Sequence, residues 1–139
     1  MTKEERLLRQ ARCKRQGKLF KIIATRGLNM EKFSEKYMNS KFCLLCMDGF
    51  YSIYQAGAMN YILDELDDEF LDSVEKYQNG QIFDPDIAEW IGYIYRRIEI
   101  DTQTPSNEIY KKYPFKEMVE MYPGFHTLSV DETVEQLSR

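Results

Sequence analysis

The sequence predicts an all-α domain, on three observations. Ile87, Trp90, Ile91, Ile94 and Ile98 recur at i, i+3, i+4, i+7 and i+11, the stripe of a core-facing helix. Two capping boxes, Thr2–Glu5 and Ser129–Glu132, and the pair Asp84-Pro85 are helix-start signals. No run alternates as a strand does, and seven Gly and four Pro are few for a chain of short strands and turns. The expectation is one domain over residues 1–139, a compact irregular bundle of six to seven helices around a central helix near 85–100. Ten Tyr, eight Phe and one Trp argue against disorder and call for an aromatic core.

The first helix starts at Lys3, capped by Thr2, and forms a basic arm over residues 3–26. Gly17 reads as a bend and Gly27 as its stop. Apolar residues thicken toward Leu19, Phe20, Ile22 and Ile23, so the C-terminal half docks on the body. Met30, Phe33, Tyr37 and Met38 keep helical spacing, Ser40 is a further cap, and Phe42–Met47 is apolar all round and therefore buried. A long helix is expected from Phe50 to about Leu66, with Tyr51, Tyr54, Ala58, Tyr61 and Ile62 on one face. Residues 64–76 are acidic around Phe70, Leu71 and Val74, and Asn79-Gly80 ends that element. The helix opened by Asp84-Pro85 runs to about Ile100. Its flat side, Ala88 and Gly92, is expected to cross the flat side of the earlier helix at Ala56-Gly57-Ala58, because Gly inside a helix costs about 1 kcal/mol and asks for a packing return. After a loop at 101–105, Ser106 caps a short helix through Tyr113. Pro114 opens another, ended by Tyr122-Pro123-Gly124, and Ser129 starts the last.

Charge is divided unevenly. Residues 1–41 carry twelve Lys/Arg against four Asp/Glu, a balance of +8, and residues 42–139 carry seven against nineteen, a balance of −12. Such a split suits contact with a charged macromolecule, or a homodimer that sets one copy's positive arm on the other's negative body. Arg6, Arg9, Arg12 and Arg15 form the positive candidate surface, and Asp64, Asp68 and Asp72 the negative one. Tyr93, Tyr95, Arg96 and Arg97 have the composition of a binding hot spot. No apolar run of signal-peptide or membrane-spanning kind is present, and the odd count of three cysteines fits reduced thiols in the cytosol.

Catalytic signatures are weak. Cys43-Leu-Leu-Cys46 lies in an apolar hexapeptide, where burial raises thiol pKa values, and a zinc site would need Cys13 and His126 as well. The acidic run from Asp64 fails the calcium-loop template, with Leu66 and Glu69 where an oxygen ligand and a glycine belong. Phosphate-binding glycine loops are absent. No metal or cofactor is expected. A His-dependent mechanism would rest on His126 alone, the sole histidine.

The segments Glu89-Trp-Ile-Gly-Tyr-Ile-Tyr-Arg96, Ser106-Asn-Glu-Ile-Tyr110 and Tyr122-Pro-Gly-Phe-His-Thr127 resemble small bacterial antitoxin-like proteins encoded beside a toxin gene. The resemblance spans residues 89–137 and implies a protein partner, a cognate toxin, rather than a substrate. The sequence thus points to a non-catalytic protein-binding module of antitoxin or immunity type, with His126 among its contact residues. Alternatives are a nucleic-acid-associated regulator using the basic helix and a small enzyme dependent on His126. No membrane contact is expected.

Overall fold

The helix signals set the element boundaries. Thr2 Oγ1 accepts from the Glu5 N–H and starts α1 (Lys3–Thr25), which runs straight through Gly17 and stops before Gly27, at φ +81°. Asn29 caps α2 (Met30–Met38) by accepting from the Lys32 N–H. A π-helical turn follows at Cys43–Met47. The computed structural model describes residues 1–49 and 57–139. The expected helix from Phe50 therefore falls partly outside the described residues. Within them α3 (Met59–Glu69) begins only at Met59, after an extended Ala58. Two 3-10 turns, Leu71–Ser73 and Gln78–Gly80, lead to α4 (Pro85–Thr102), whose N-cap Asp84 accepts from Asp86 and Ile87 N–H. Then come α5 (Ser106–Lys112), α6 (Phe115–Phe125) and α7 (Val130–Leu137). Ser106 is the first residue of α5 rather than its cap, and α6 passes through Pro123 to Phe125.

Among the described residues the protein is an all-α bundle without a strand. A single antiparallel bridge, Leu28 with Lys76, ties the loop after α1 to the one before α4. None of these helices is long and apolar enough to cross a membrane.

The centre is the pairing of α1 with α4, the most extensive contact between elements. Two glycines permit it. A Cβ on Gly92 would lie 2.7 Å from Phe20 Cγ and 2.8 Å from the Gln16 carbonyl oxygen, and one on Gly17 would lie 2.9 Å from the Glu89 oxygen. The close crossing at Gly92 is therefore made with α1. The expected crossing with Ala56-Gly57-Ala58 lies partly outside the described residues, and Gly57 and Ala58 precede α3. Gly17 lies inside a continuous α1 and seats it against α4.

Phe20, pressed over Gly92, meets Phe33, Tyr37 and Tyr95 edge to face at 5.3, 5.6 and 6.2 Å. Such pairs add about 0.5–1.5 kcal/mol each beyond area burial. Around this hub the core extends through Met30, Met38, Ile62, Leu66, Ile91, Ile94, Ile109 and Met118, with Val134 and Leu137 closing α7 over it.

Candidate functional site

Two features stand out: a buried charged cluster that joins the elements, and exposed charge on α1 and α3.

The cluster grows from the α1–α4 seam. Gly92, Arg96 and Glu99 follow one another at i, i+4 and i+7 on α4, and Arg12 and Gln16 do so at i and i+4 on α1. Arg96 is fully buried, yet each of its five N–H donors is used. Nε and Nη2 donate to Gln16 Oε1 at 3.1 and 2.5 Å, and Nη1 donates to Asp48 Oδ1 at 2.6 Å and Glu99 Oε1 at 2.7 Å. The remaining Nη2 hydrogen faces Cys43 Sγ at 3.6 Å. Gln16 Oε1 also accepts from the Tyr37 hydroxyl, and its Nε2 donates to the Gly92 carbonyl at 2.9 Å. Asp48 reaches across to α5, where it accepts from the Ser106 N–H at 2.8 Å and from the Ser106 hydroxyl. Arg12 Nη2 donates to the Met47 and Gly49 carbonyls and to Glu99 Oε1, while Glu99 Oε2 accepts from the Gly49 N–H.

Two guanidinium groups thus face two carboxylates, and the cluster is neutral as a whole. Burial opposes the Arg96 charge, but the groups facing it, Cys43, Tyr37, Asp48 and Glu99, outweigh that and hold its pKa well above the ordinary value. Burial lowers the Arg12 pKa, with Glu99 working in the other direction. Burial likewise pushes the Cys43 thiol up to about 11 and the Cys13 thiol up to about 12. Such thiols are poor nucleophiles, because the thiolate is the reactive form. The Ser106 hydroxyl is buried and spent on Asp48. The arrangement clamps α1, the π-turn, α4 and α5 together, and it presents no accessible nucleophile.

These positions revise the surfaces read from the sequence. Arg96 and Tyr95 are not contact residues: Arg96 is the hub just described, and buried Tyr95 donates its hydroxyl to the Tyr113 carbonyl at 2.6 Å. Tyr93 is half-buried beside Gly17. Arg97 donates to Asp101 Oδ2 at 2.8 Å and to Asp131, tying α4 to α7. Arg6, Arg9, Arg12 and Arg15 do not share a face, because steps of three residues turn 60° short of a full circle on a helix with 3.6 residues per turn. Arg6 is exposed, Arg9 and Arg15 are half-buried, and Arg12 enters the cluster.

Asp64, Asp68 and Asp72 are exposed as expected, the first two one turn apart on α3, and no ion pair holds them among the described residues. His126 is exposed at the α6 C-cap, stacked on Tyr122 at 4.4 Å with Nδ1 2.7 Å from the Tyr122 carbonyl oxygen. Cys13 and Cys43 are buried and Cys46 half-buried, and among the described residues no three metal-ligating side chains come together. A cavity of about 140 Å³ lies between Ile98, Thr102, Ile109, Tyr113 and Leu137, away from His126 and from the cluster.

No known family model, curated protein or solved structure matches the chain.

Proposed function

We propose that this chain is a non-catalytic module that binds another protein through surface charge, in the manner its antitoxin-like segments imply. One observation carries the reading: α3 keeps Asp64, Asp67 and Asp68 exposed and without an ion pair among the described residues, although cations of the basic stretch pair elsewhere with the acidic remainder of the chain. Among the described residues, Arg12 pairs with Glu99, Lys21 with Asp86 and Glu89, and Lys32 with Glu75. Lys3 and Arg6 at the start of α1, and Asp64, Asp67 and Asp68 on α3, are exposed and have no ion pair among the described residues. Complementary charge steers encounter and fixes orientation more than it raises affinity. The use of Arg12 inside the fold, and the turning of Arg15 away from Arg6, weaken the case for a row of phosphate contacts along α1.

The test is capture by the tagged native protein from its source at low and high salt, alongside the variant Asp64→Lys/Asp68→Lys. One stoichiometric protein, released by salt and lost in the variant, is the expected result. Equal capture by the variant, or recovery of nucleic acid in place of protein, would sink the reading.

A further inference from the structure

We propose that the cavity between α4, α5 and α7 binds a small zwitterion, a free amino acid with a side chain of leucine or phenylalanine size. The site is separate from the exposed charge on α1 and α3, and the inference does not depend on what that charge meets.

The size of the cavity, about 140 Å³, sets the size of its occupant. Sites for drug-sized molecules run to about 300–1,000 Å³, whereas an apolar cavity of about 150 Å³ is enough to take up benzene. The walls are buried Ile98, Ile109 and Leu137, with Tyr113 beside them. The turn at Gln103, φ +55°, brings α5 back against α4. The Tyr113 hydroxyl donates to the Leu137 carbonyl at 2.6 Å and so holds the end of α7 over both. An apolar side chain of four to seven carbons is what such walls accept.

The rim carries both signs of charge. Glu108 and Lys112 line the same cavity one helical turn apart on α5, and both are exposed. Lys112 has no ion pair among the described residues. Its ammonium donates to the Arg139 carbonyl at 3.4 Å and lies 5.3 Å from the centre of the Tyr113 ring, which leaves N–H donors open. The Thr104 hydroxyl accepts from Thr102 at 2.9 Å and has no acceptor for its own proton among the described residues. These donors call for a carboxylate. Glu108 gives one carboxylate oxygen to Lys111 at 3.0 Å and leaves the other open. The last turns of α4, α5 and α7 also converge here, and the partial negative charge at helix C-termini favours a cation. These acceptors call for an ammonium. A plain carboxylic acid would leave Glu108 unanswered, and a plain amine would meet Lys112. A molecule that carries both groups on one carbon, with an apolar side chain, answers the whole lining.

Titration of the isotope-labelled chain, followed by amide chemical shifts in nuclear magnetic resonance, tests this. The probes are leucine, isocaproate and isoamylamine, which each lack one of its charged groups, and glycine, which lacks the side chain. Leucine should shift the Thr104, Ile109, Lys112 and Leu137 amides. Isocaproate and isoamylamine should each bind about threefold or more weakly, the scale of a partly exposed ion pair. Glycine should bind about tenfold or more weakly, since it buries no side chain. Lys112→Gln, at an exposed position, should weaken leucine and isocaproate about threefold and not weaken isoamylamine, and Glu108→Gln should weaken leucine and isoamylamine and not isocaproate. The comparison among probes uses the native chain and stands whatever the variants do to the fold. Shifts absent from these four residues, an analogue that binds as tightly as leucine, or folded variants without these effects would overturn the proposal.

Discussion

Replacing Arg96 by methionine tests whether the buried cluster is the clamp described above. Methionine fills much of the volume and donates nothing. The Asp48 and Glu99 side chains, 10% and 8% exposed, would then share one cation, Arg12, which donates to Glu99 and not to Asp48. Removing one member of a buried ion pair costs about 3–5 kcal/mol, because the charge left behind cannot recover its hydration. The two hydrogen bonds from Ser106 to Asp48 soften that, so a loss of about 3–4 kcal/mol is expected. A domain of this size has a total stability of roughly 7–15 kcal/mol. Urea unfolding followed by circular dichroism reads it out. With a slope of about 2 kcal/mol per molar, the midpoint should fall by roughly 1.5–2 M. The double variant Arg96→Met/Asp48→Asn leaves Arg12 facing Glu99 in a neutral pair, and should recover at least about 1 kcal/mol relative to the sum of the single changes. A loss below about 1 kcal/mol for Arg96→Met, or strict additivity in the double variant, would refute the assignment of Arg96 as a charge-balancing hub.

Gly92→Ala should lower stability by about 1–3 kcal/mol in thermal melts, since the contact at 2.7 Å with Phe20 and at 2.8 Å with a carbonyl outweighs the gain in helix propensity. Gly124→Ala in α6, where an added Cβ meets nothing within 4 Å, should be neutral or stabilising, and a loss there as large as at Gly92 would contradict the packing argument. Ellman's reagent at mildly alkaline pH should modify Cys46 in the native protein and all three cysteines only after unfolding, because Cys13 and Cys43 are buried with raised pKa values. Stability should also fall on the alkaline side. Burial raises the thiols from 9.0 to about 12 and about 11, and raises the Tyr37 and Tyr95 hydroxyls well above 10.0, so the native state holds these protons more tightly than the unfolded chain. That contribution is complete below the unfolded values and is lost as pH rises through the native ones. Urea midpoints measured from neutrality upward should begin to drop above about pH 9, and a flat profile would count against it.

Local signals were legible where the physics is local. The stripe from Ile87 to Ile98, the caps Thr2, Asp84 and Ser129, and the stop at Gly27 each report backbone geometry within a few residues, and the helices begin or end there. Which faces meet depends on residues far apart in the chain. Gly92 called for a close neighbour, but Ala56–Ala58 and Gly17 offered equally small steps, and spacing alone carries no distance between helices. Arg96 and Arg12 were assigned to the surface because charge usually lies there. The readable clue was the second seam on α4. A helix at the centre of a bundle is buried on more than one stripe, so a glycine followed at i+4 and i+7 by an arginine and a glutamate marks an internal polar seam as readily as a wet face. The exposed leucines of α1 and the acidic face of α3 were legible as chemistry. The attachment of the π-turn region to both α1 and α3 was not, because it runs through backbone groups that Arg12 and Glu69 bind.

The seating of α1 against α4 has a consequence for how the chain matures. Gln16 and Arg12 find their α4 partners 76 to 87 positions later in the sequence. At a synthesis rate of about 5–20 residues per second, the first helix waits roughly 4–17 s on the ribosome before the surface that covers Leu19, Phe20 and Ile23 exists. Contacts so distant along the chain also slow the search once the whole polypeptide is free. The segment made first is therefore among the last to be locked, and a nascent or truncated product ending before Pro85 would carry its cationic helix without its α4 partner, open to chaperones and proteases.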